Sequence, residues 1–363
     1  MRRIADLAQN EAFTLIDIGC SGGIGPGWRM FGGKLRAFGF EPSLEECARL
    51  ARAEQNPAVQ YIPRFVGLRA DHPFARKKAS SPHSGRNPWK RLSVCRTLHI
   101  RNKEIETMPV DEKMRLNEWR QTPLADPSQP VYLPEFFAEN WVNDIDFIKL
   151  DVDGPDFEIL HSLETVLADA RVLGLDMEVN FNGTSAETDH TFHNTDRFMR
   201  SHGFDLFNLT VRRYSAAALP SRYVLDAPAQ SELGRLLQGD ALYVRDICNP
   251  EFSGFAARLT PEKILKTAAI FAIFNLPDCA AEVLVNFRER VAGICNADSL
   301  LDCLAAQMQH GADRPLSYKE YVAAFERNRD LFYQRKNPVG RTPAPPVTLR
   351  SRIRRVLQGL ISR

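Results

Sequence analysis

The chain contains 363 residues, of which 44% are hydrophobic and 25% are charged, so it can bury a core and is not disordered as a whole. No window approaches the roughly 18 uninterrupted apolar residues that a membrane-spanning helix needs. We expect no signal peptide, because the first residues lack an apolar core. Seven scattered cysteines without a CxxC pair argue against a disulfide framework or a cysteine-rich zinc site, and favour a reducing, cytoplasmic compartment.

The net charge of +2 conceals an uneven distribution along the chain. Residues 76–103 contain nine basic residues and no acid, and residues 335–363 contain eight basic residues and no acid. The rest of the chain holds 30 basic and 45 acidic residues. The sequence therefore describes an acidic body with two basic segments.

Predicted strands and helices alternate over the first 250 residues. Residues 14–18 form a strand that ends in a glycine-rich turn, residues 35–40 form a second strand, and Ser43 with Glu46 predicts a helix start. Later strands are predicted at residues 59–66, 145–150, 171–178, 204–209 and 240–245. Such alternation indicates an α/β fold whose mainly parallel sheet is covered by helices on both faces.

The remaining segments follow other patterns. Residues 71–130 show no sustained apolar period and form a long basic insertion, whereas the pattern after Cys248 is helical. We predict a first domain over residues 1–250 that contains this insertion, and a helical C-terminal region over residues 251–334. A Pro- and Gly-rich linker with a basic amphipathic tail helix is predicted over residues 335–363.

The turn after the first strand is the most informative local feature. Glycines there let a ligand approach the backbone closely, and Glu41 lies where such folds place an acid that binds ribose hydroxyls. The turn lacks the GxGxxG spacing of nicotinamide sites and fits an S-adenosylmethionine (SAM) loop better, with a plain turn as the remaining alternative. The predicted cofactor-binding residues are Asp17, Gly19, Cys20, Ser21, Gly22, Gly23, Glu41 and Pro42.

A second motif follows the predicted strand at residues 145–150. Asp151 and Asp153 come directly after this strand, at the edge where open α/β sheets bind ligands. Two neighbouring carboxylates favour a proton, a cation or a hydroxyl donor. A structural interpretation stays open, in which Asp151 caps the next helix and Asp153 is a turn residue.

These motifs resemble the FkbM family of SAM-dependent methyltransferases. The resemblance implies a Rossmann-like SAM methyltransferase fold with a seven-stranded sheet, and O-methylation of a hydroxyl on a sugar, glycolipid, polysaccharide or polyketide-type acceptor. Family members usually carry Glu where this chain has Asp153, and the insertion has no clear family counterpart. The matching segments follow the family's order: residues 15–19, 38–42, 145–160, 174–179, 198–204 and 240–244.

Methyl transfer to a hydroxyl requires alignment of the acceptor oxygen and removal of its proton. We predict Asp151 as the leading base or acceptor-orienting residue, with Asp153 and Glu178 in support. The alternative use of these three acids is a Mg²⁺ site, because hard divalent cations prefer carboxylate oxygens. His190 and His193 are interpreted as loop residues before a helix.

The basic segments bear on the partners of the protein. The insertion favours an anionic glycan or glycolipid acceptor, with a solvated insertion as the alternative, and the lack of an RNA-binding motif disfavours nucleic acid. Residues 348–363 place apolar residues on one helical face and arginines on the other, which is typical of a helix lying on the inner face of a membrane. Docking of this tail onto the protein body or a partner is the rival interpretation.

Two other functions stay open from the sequence alone. One is a catalytically inactive scaffold that keeps the SAM fold and associates with glycan or membrane. The other, less favoured, is an NAD-dependent oxidoreductase. The sequence does not indicate an oligomeric state.

Overall fold

One seven-stranded sheet organises the described part of the chain. The computed structural model describes residues 11–81, 123–152, 154–168, 171–214, 234–309 and 314–329. The strands are β1 (Phe13–Ile18), β2 (Leu35–Phe40), β3 (Val59–Ile62), β4 (Phe147–Leu150), β5 (Gly174–Asn180), β6 (Asp205–Tyr214) and β7 (Arg235–Val244). Their order is β3-β2-β1-β4-β5-β7-β6, with β7 antiparallel to both of its neighbours. This topology confirms the predicted Rossmann-like methyltransferase fold.

Helices connect the strands and continue beyond the sheet. The helices of the sheet region are α1 (Leu44–Ala53), α2 (Pro73–Ala79), α3 (Leu133–Glu139), α4 (Asp156–Ser162), α5 (Glu164–Ala168) and α6 (Phe192–Ser201). The later ones are α7 (Ser253–Arg258), α8 (Pro261–Ile273), α9 (Pro277–Asn286), α10 (Arg288–Val291), α11 (Ala297–Met308) and α12 (Tyr318–Arg327), and they confirm the predicted helical C-terminal region.

The structure differs from the predicted elements in three places. Helix α2 lies inside the predicted insertion, where His72 accepts a hydrogen bond from the backbone of Phe74 and Pro73 starts the helix. Helix α3 was not predicted either. Strand β3 ends at Ile62, and Val66 instead forms an isolated parallel bridge with Val131.

The chain divides into two compact units, residues 1–300 and 301–363. The sheet belongs to the first unit, and α12 belongs to the second, where Ser317 and Glu320 form a capping box at its start. The domain boundaries predicted from the sequence stay predictions. Insertion residues 82–122 and tail residues 330–363 lie outside the described residues, so the tail helix and its membrane contact also stay predictions. No helix within the described ranges is long and apolar enough to cross a membrane.

One face of the sheet carries the main hydrophobic core, because side chains alternate between the two faces along each strand. Ile16, Ile148 and Leu175 point to this face and are fully buried. Phe157 of α4 and Met199 of α6 pack against them. The carboxyl ends of β1, β4 and β5 are therefore anchored from one side.

The opposite face of the sheet is aromatic near the amino ends of β1 and β4 and polar near their carboxyl ends. Its amino half is aromatic, where Phe13 stacks on Trp28 at 5.3 Å between ring centroids and Phe147 lies 4.7 Å from the Trp28 ring. Further along the same strands, Asp17 and Lys149 lie in register with each other. We call this carboxyl half of the face the polar half-face. It lies at the sheet edge that carries the glycine turn and the Asp151 loop.

A buried ionic cluster holds α8 against the amino end of the sheet. Asp146 is 0% exposed and accepts a hydrogen bond from the Thr14 backbone N–H at 2.8 Å. Its two carboxylate oxygens contact Nζ of Lys263 at 2.6 Å and Nζ of Lys266 at 3.1 Å. Removing this carboxylate would strip two buried ammonium groups of their shared counter-ion.

We expect Asp146→Ala to lower the free energy of unfolding by about 3–5 kcal/mol, because Lys263 and Lys266 lose their fully buried counter-ion. They would keep only the more exposed Asp144 and Glu11, at 2.7 and 3.6 Å. Urea denaturation measures the change. The matched control is Asp71→Ala, which removes an exposed carboxylate 3.1 Å from Arg69 and should cost less than about 1 kcal/mol. Equal losses in the two variants would contradict the role given to Asp146.

Candidate functional site

The glycine-rich turn after β1 lies against the ends of β2 and β4. The backbone N–H groups of Gly19 and Cys20 both donate to the Phe40 carbonyl, at 2.9 and 3.1 Å. Gly19 has a φ of +87°, and a Cβ atom at this position would lie 1.7 Å from the carbonyl oxygen of Asp151. Only glycine satisfies both the backbone angle and this contact.

The rest of the turn is held by α1. Gly22 and Gly23 have φ values of +82° and +91°, and the Gly22 N–H donates to Oε1 of Glu46 at 3.0 Å. Glu46 lies in the first turn of α1, so its hydrogen bond with Gly22 joins the glycine turn to that helix. Cys20 is buried and burial raises its pKa, whereas Ser21 and Gly22 are exposed.

The end of β2 is joined to the chain that returns from the insertion. Glu41 is nearly buried, and its Oε1 accepts a hydrogen bond from the Ser43 N–H at 2.9 Å. The Pro42 carbonyl accepts one from the Ala125 N–H at 2.8 Å, and Ser43 pairs with Leu124 in an isolated antiparallel bridge. Residues near the end of the insertion thus lie directly beside the predicted ribose-binding acid.

A lysine links the ends of β1 and β4. Nζ of Lys149 lies 3.7 Å from Oδ1 of Asp17 and 3.4 Å from Oδ2 of Asp151. Asp17 is 2% exposed, and within the described residues its Oδ1 accepts no hydrogen bond. Burial raises the pKa of Asp17 to about 6, an effect that the positive charge of Lys149 opposes.

Asp151 is the accessible carboxylate of this pair, with 43% of its side chain exposed. It does not cap α4, because that helix starts after Pro155 without a side-chain cap. Asp156 braces the loop instead, accepting hydrogen bonds from the backbone N–H groups of Val152 at 2.9 Å and Gly154 at 3.0 Å. The capping interpretation of Asp151 is therefore wrong.

Further acids continue the polar half-face across β5 and β7. Asp176 lies in register with Lys149, and burial together with the negative charge of Asp240 raises the pKa of Asp176 to about 7. Glu178 is buried, and its Oε2 lies 3.1 Å from a guanidinium nitrogen of Arg212. Arg212 also donates to both carboxylate oxygens of Asp240, at 2.9 and 2.8 Å. The Glu178 carboxylate is thus fixed on this face by its ion pair with Arg212.

The residues do not fit the predicted Mg²⁺ site. Asp153 lies outside the described residues, and Glu178 is engaged by the Arg212 guanidinium, which occupies the place of a cation. Across the described ranges, no three His, Cys, Asp or Glu side chains are arranged to hold a metal ion. We derive no chemistry through a metal at this site.

The two histidines predicted to lie in a loop, His190 and His193, have different surroundings. His190 lies in the loop, its Nε2 lies 3.0 Å from the Glu178 carbonyl oxygen, and burial lowers its pKa. His193 belongs to α6 rather than to the loop. It lines a cavity of about 290 Å³ after β5, together with Thr184 and Phe192.

Four charged residues of the site were missed in the sequence: Lys149, Asp176, Arg212 and Asp240. Part of their signal was present, because Lys149 interrupts the otherwise apolar strand β4 and Asp176 stands between two apolar residues of β5. A charged side chain inside a strand buried on both faces needs a partner or a function. Which partner it meets depends on strand order, which these residues do not encode locally.

Comparisons with known structures give distant overlaps. The chain is similar to a magnesium protoporphyrin IX methyltransferase from Synechocystis with bound SAM, at 6% identity over 67% of this chain and 76% of that chain, with a TM-score of 0.27. It is similar to a TehB-like SAM-dependent methyltransferase from Corynebacterium glutamicum, at 12% identity over 67% and 86% of the two chains, with a TM-score of 0.26. A precorrin-6y C5,15-methyltransferase from Geobacter metallireducens overlaps at 9% identity over 67% and 86%, with a TM-score of 0.28.

Comparisons of sequence are more specific. No curated protein matches the chain. Residues 29–206 match the family model described as a methyltransferase FkbM domain. This span runs from the segment before β2 into β6 and includes Glu41, Lys149, Asp151 and Glu178. Residues 29–206 of this chain therefore carry a methyltransferase FkbM domain.

Proposed function

We propose that this chain is a SAM-dependent O-methyltransferase that acts on a hydroxyl of a sugar, glycolipid, polysaccharide or related acceptor. The observation that carries the proposal is the contact between the Gly19 turn and the Asp151 carbonyl. Because this contact joins the two loops, a cofactor on the turn and an acceptor beside the Asp151 side chain would be neighbours. The family supports methyl transfer, and the hydroxyl acceptor is the finer part of the proposal.

The residues around the turn fit SAM. Oδ1 of Asp17 is buried without a hydrogen bond from the described residues, which suits the ammonium group of a methionine moiety. Gly22 has open space where a Cβ would lie. Glu41 lies at the end of β2, where an acid can accept hydrogen bonds from ribose hydroxyls. When bound, SAM supplies an electrophilic methyl group on its sulfonium.

The acceptor side depends on Asp151. Its exposed carboxylate would accept the proton of the acceptor hydroxyl, while the methyl carbon passes from the cofactor sulfur to the acceptor oxygen and the carbon–sulfur bond breaks. Glu178 supports the site indirectly, because its carboxylate is held by Arg212. The proton then resides on Asp151 and is released to solvent.

The charge of the polar half-face bears on the acceptor. Asp151, Asp176 and Asp240 lie on it beside two cations, Lys149 and Arg212. A neutral hydroxyl-bearing ring suits this surface better than an anionic group, which the acids would repel. An anionic group elsewhere on the acceptor stays a proposal that rests on the basic composition of residues 76–103.

We expect the affinity for SAM to fall as the pH drops through about 6, the pKa of Asp17. The sign follows because a proton on Asp17 competes with the cofactor ammonium for the same carboxylate. Asp17→Asn should weaken binding by roughly tenfold to a hundredfold near neutral pH and remove this pH step. Isothermal titration calorimetry measures both effects.

The control for this titration is Glu45→Gln, which removes an exposed carboxylate from α1 and should keep the step. A pH step that persists unchanged in Asp17→Asn would contradict the assignment of Asp17. A wild-type protein that binds no SAM, in the same titration, would favour the inactive scaffold.

We expect Asp151→Asn to lower turnover by about 10²–10⁴-fold with SAM affinity retained, because the change removes the proton acceptor but no cofactor contact. The assay is transfer of labelled methyl from SAM into fractionated cell-envelope material. Asp126→Asn, an exposed acid near the end of the insertion, is the control and should retain full activity.

Dialysis against EDTA accompanies the Asp151 variant and tests a metal-dependent route. Turnover that survives dialysis but not Asp151→Asn supports a protein carboxylate as base. Turnover that survives both overturns the role of Asp151.

A further inference from the structure

We propose that Lys149 is a positioning residue that couples the two halves of the site, joining Asp17 on the cofactor side to Asp151 on the acceptor side. The inference rests on the proposed function, since it assigns Asp17 to the cofactor and Asp151 to the acceptor. It goes further by giving one residue a role in both.

Strand order places Lys149 between the two carboxylates. Lys149 lies on β4, in register with Asp17 on β1 and Asp176 on β5. Its Nζ lies within 4 Å of both Asp17 and Asp151, at 3.7 and 3.4 Å. The ammonium therefore sits where the loops after β1 and β4 meet.

The two contacts of Lys149 are of different kinds. At 3.4 Å its ammonium donates a hydrogen bond to Asp151, whereas at 3.7 Å it attracts Asp17 without a hydrogen bond. Oδ1 of Asp17 thus has a nearby positive charge but keeps its lone pairs for a ligand. This suits a carboxylate that must stay ionised and still accept a hydrogen bond from a cofactor ammonium.

A solely structural role explains the placement less well. Strand β4 is otherwise apolar, and the Lys149 side chain, which is 31% exposed, is a half-buried charge that favours a counter-charge. The charged groups of the described residues that interact with Lys149 are Asp17, Asp151, Asp176 and Asp240, all on the polar half-face. Burial lowers the pKa of Lys149, the charges of Asp17 and Asp151 raise it, and the net direction is upward. Lys149 thus remains a cation whose partners include both site carboxylates.

Coupling follows from repulsion between like charges. When a cofactor ammonium joins Asp17, it repels the Lys149 ammonium, which keeps its hydrogen bond with Asp151. Binding of the cofactor would therefore strengthen the hydrogen bond between Lys149 and the Asp151 carboxylate, which faces the acceptor. Without Lys149, the buried Asp17 would keep its proton to higher pH, because the acids Asp151 and Asp176 would remain near it without the cation.

The test is the pH dependence of SAM affinity in wild type, Lys149→Met and Lys149→Arg, measured by calorimetry on the full chain. Wild type should lose affinity below about pH 6. Lys149→Met should move this midpoint upward by about one pH unit, whereas Lys149→Arg should return it toward the wild-type value because the charge is restored. Lys77→Met, which removes an exposed lysine paired with Glu187, is the control and should leave the midpoint unchanged.

A second probe, 5′-methylthioadenosine, separates this role from general damage to the site. It lacks the amino acid part of SAM, so wild type and Lys149→Met should bind it equally and without the pH step. A weaker affinity of Lys149→Met for this probe points to structural damage and overturns the inference.

The outcomes distinguish this inference from the proposed function. Equal midpoints in wild type and Lys149→Met, with both proteins binding SAM, overturn the role of Lys149 and leave the proposed function standing. A wild-type protein that binds neither probe overturns the proposed function and this inference with it. An upward shift in Lys149→Met that Lys149→Arg reverses, with equal binding of 5′-methylthioadenosine, supports the action of Lys149 on Asp17 that the coupling requires.

Discussion

The close contact between Gly19 and the Asp151 carbonyl is the constraint on which the site depends. Strands β1 and β4 are parallel neighbours, and the Asp151 N–H donates to the Ile18 carbonyl at 2.9 Å, so both chains leave the sheet together. A side chain at position 19 would collide with the second loop. Glycine is therefore required at position 19 for the acidic loop to lie beside the turn.

Charge is used differently at the two ends of the sheet. At the amino end, Asp146 is fully buried and matched by Lys263 and Lys266, which makes a structural anchor for α8. At the carboxyl end, acids outnumber cations, and burial raises the pKa of Asp17 and Asp176 toward neutrality. Groups that titrate near neutral pH are typical of functional sites, whereas matched buried pairs are typical of anchors.

The alternation of side chains along the strands separates packing from chemistry. Residues such as Ile148 and Leu150 face the helices and form the core, while Lys149 between them faces the polar half-face. One short strand can thus be fully packed on one side and carry a functional cation on the other. The aromatic cluster at the amino half of the polar side closes that face where no chemistry occurs.

The sequence by itself determined the α/β class, the glycine turn at Gly19, the acid at Glu41 and the motif at Asp151, because these depend on local periodicity and on glycine conformations. It did not reveal Lys149 as the link between β1 and β4, nor the pairing of Glu178 with Arg212, which removed the basis for a metal site. Those contacts join residues from 34 to 132 positions apart, and only the order and register of the strands brought them together. Local patterns decide which residues leave a strand at its polar edge, but only the tertiary structure decides which of them become neighbours.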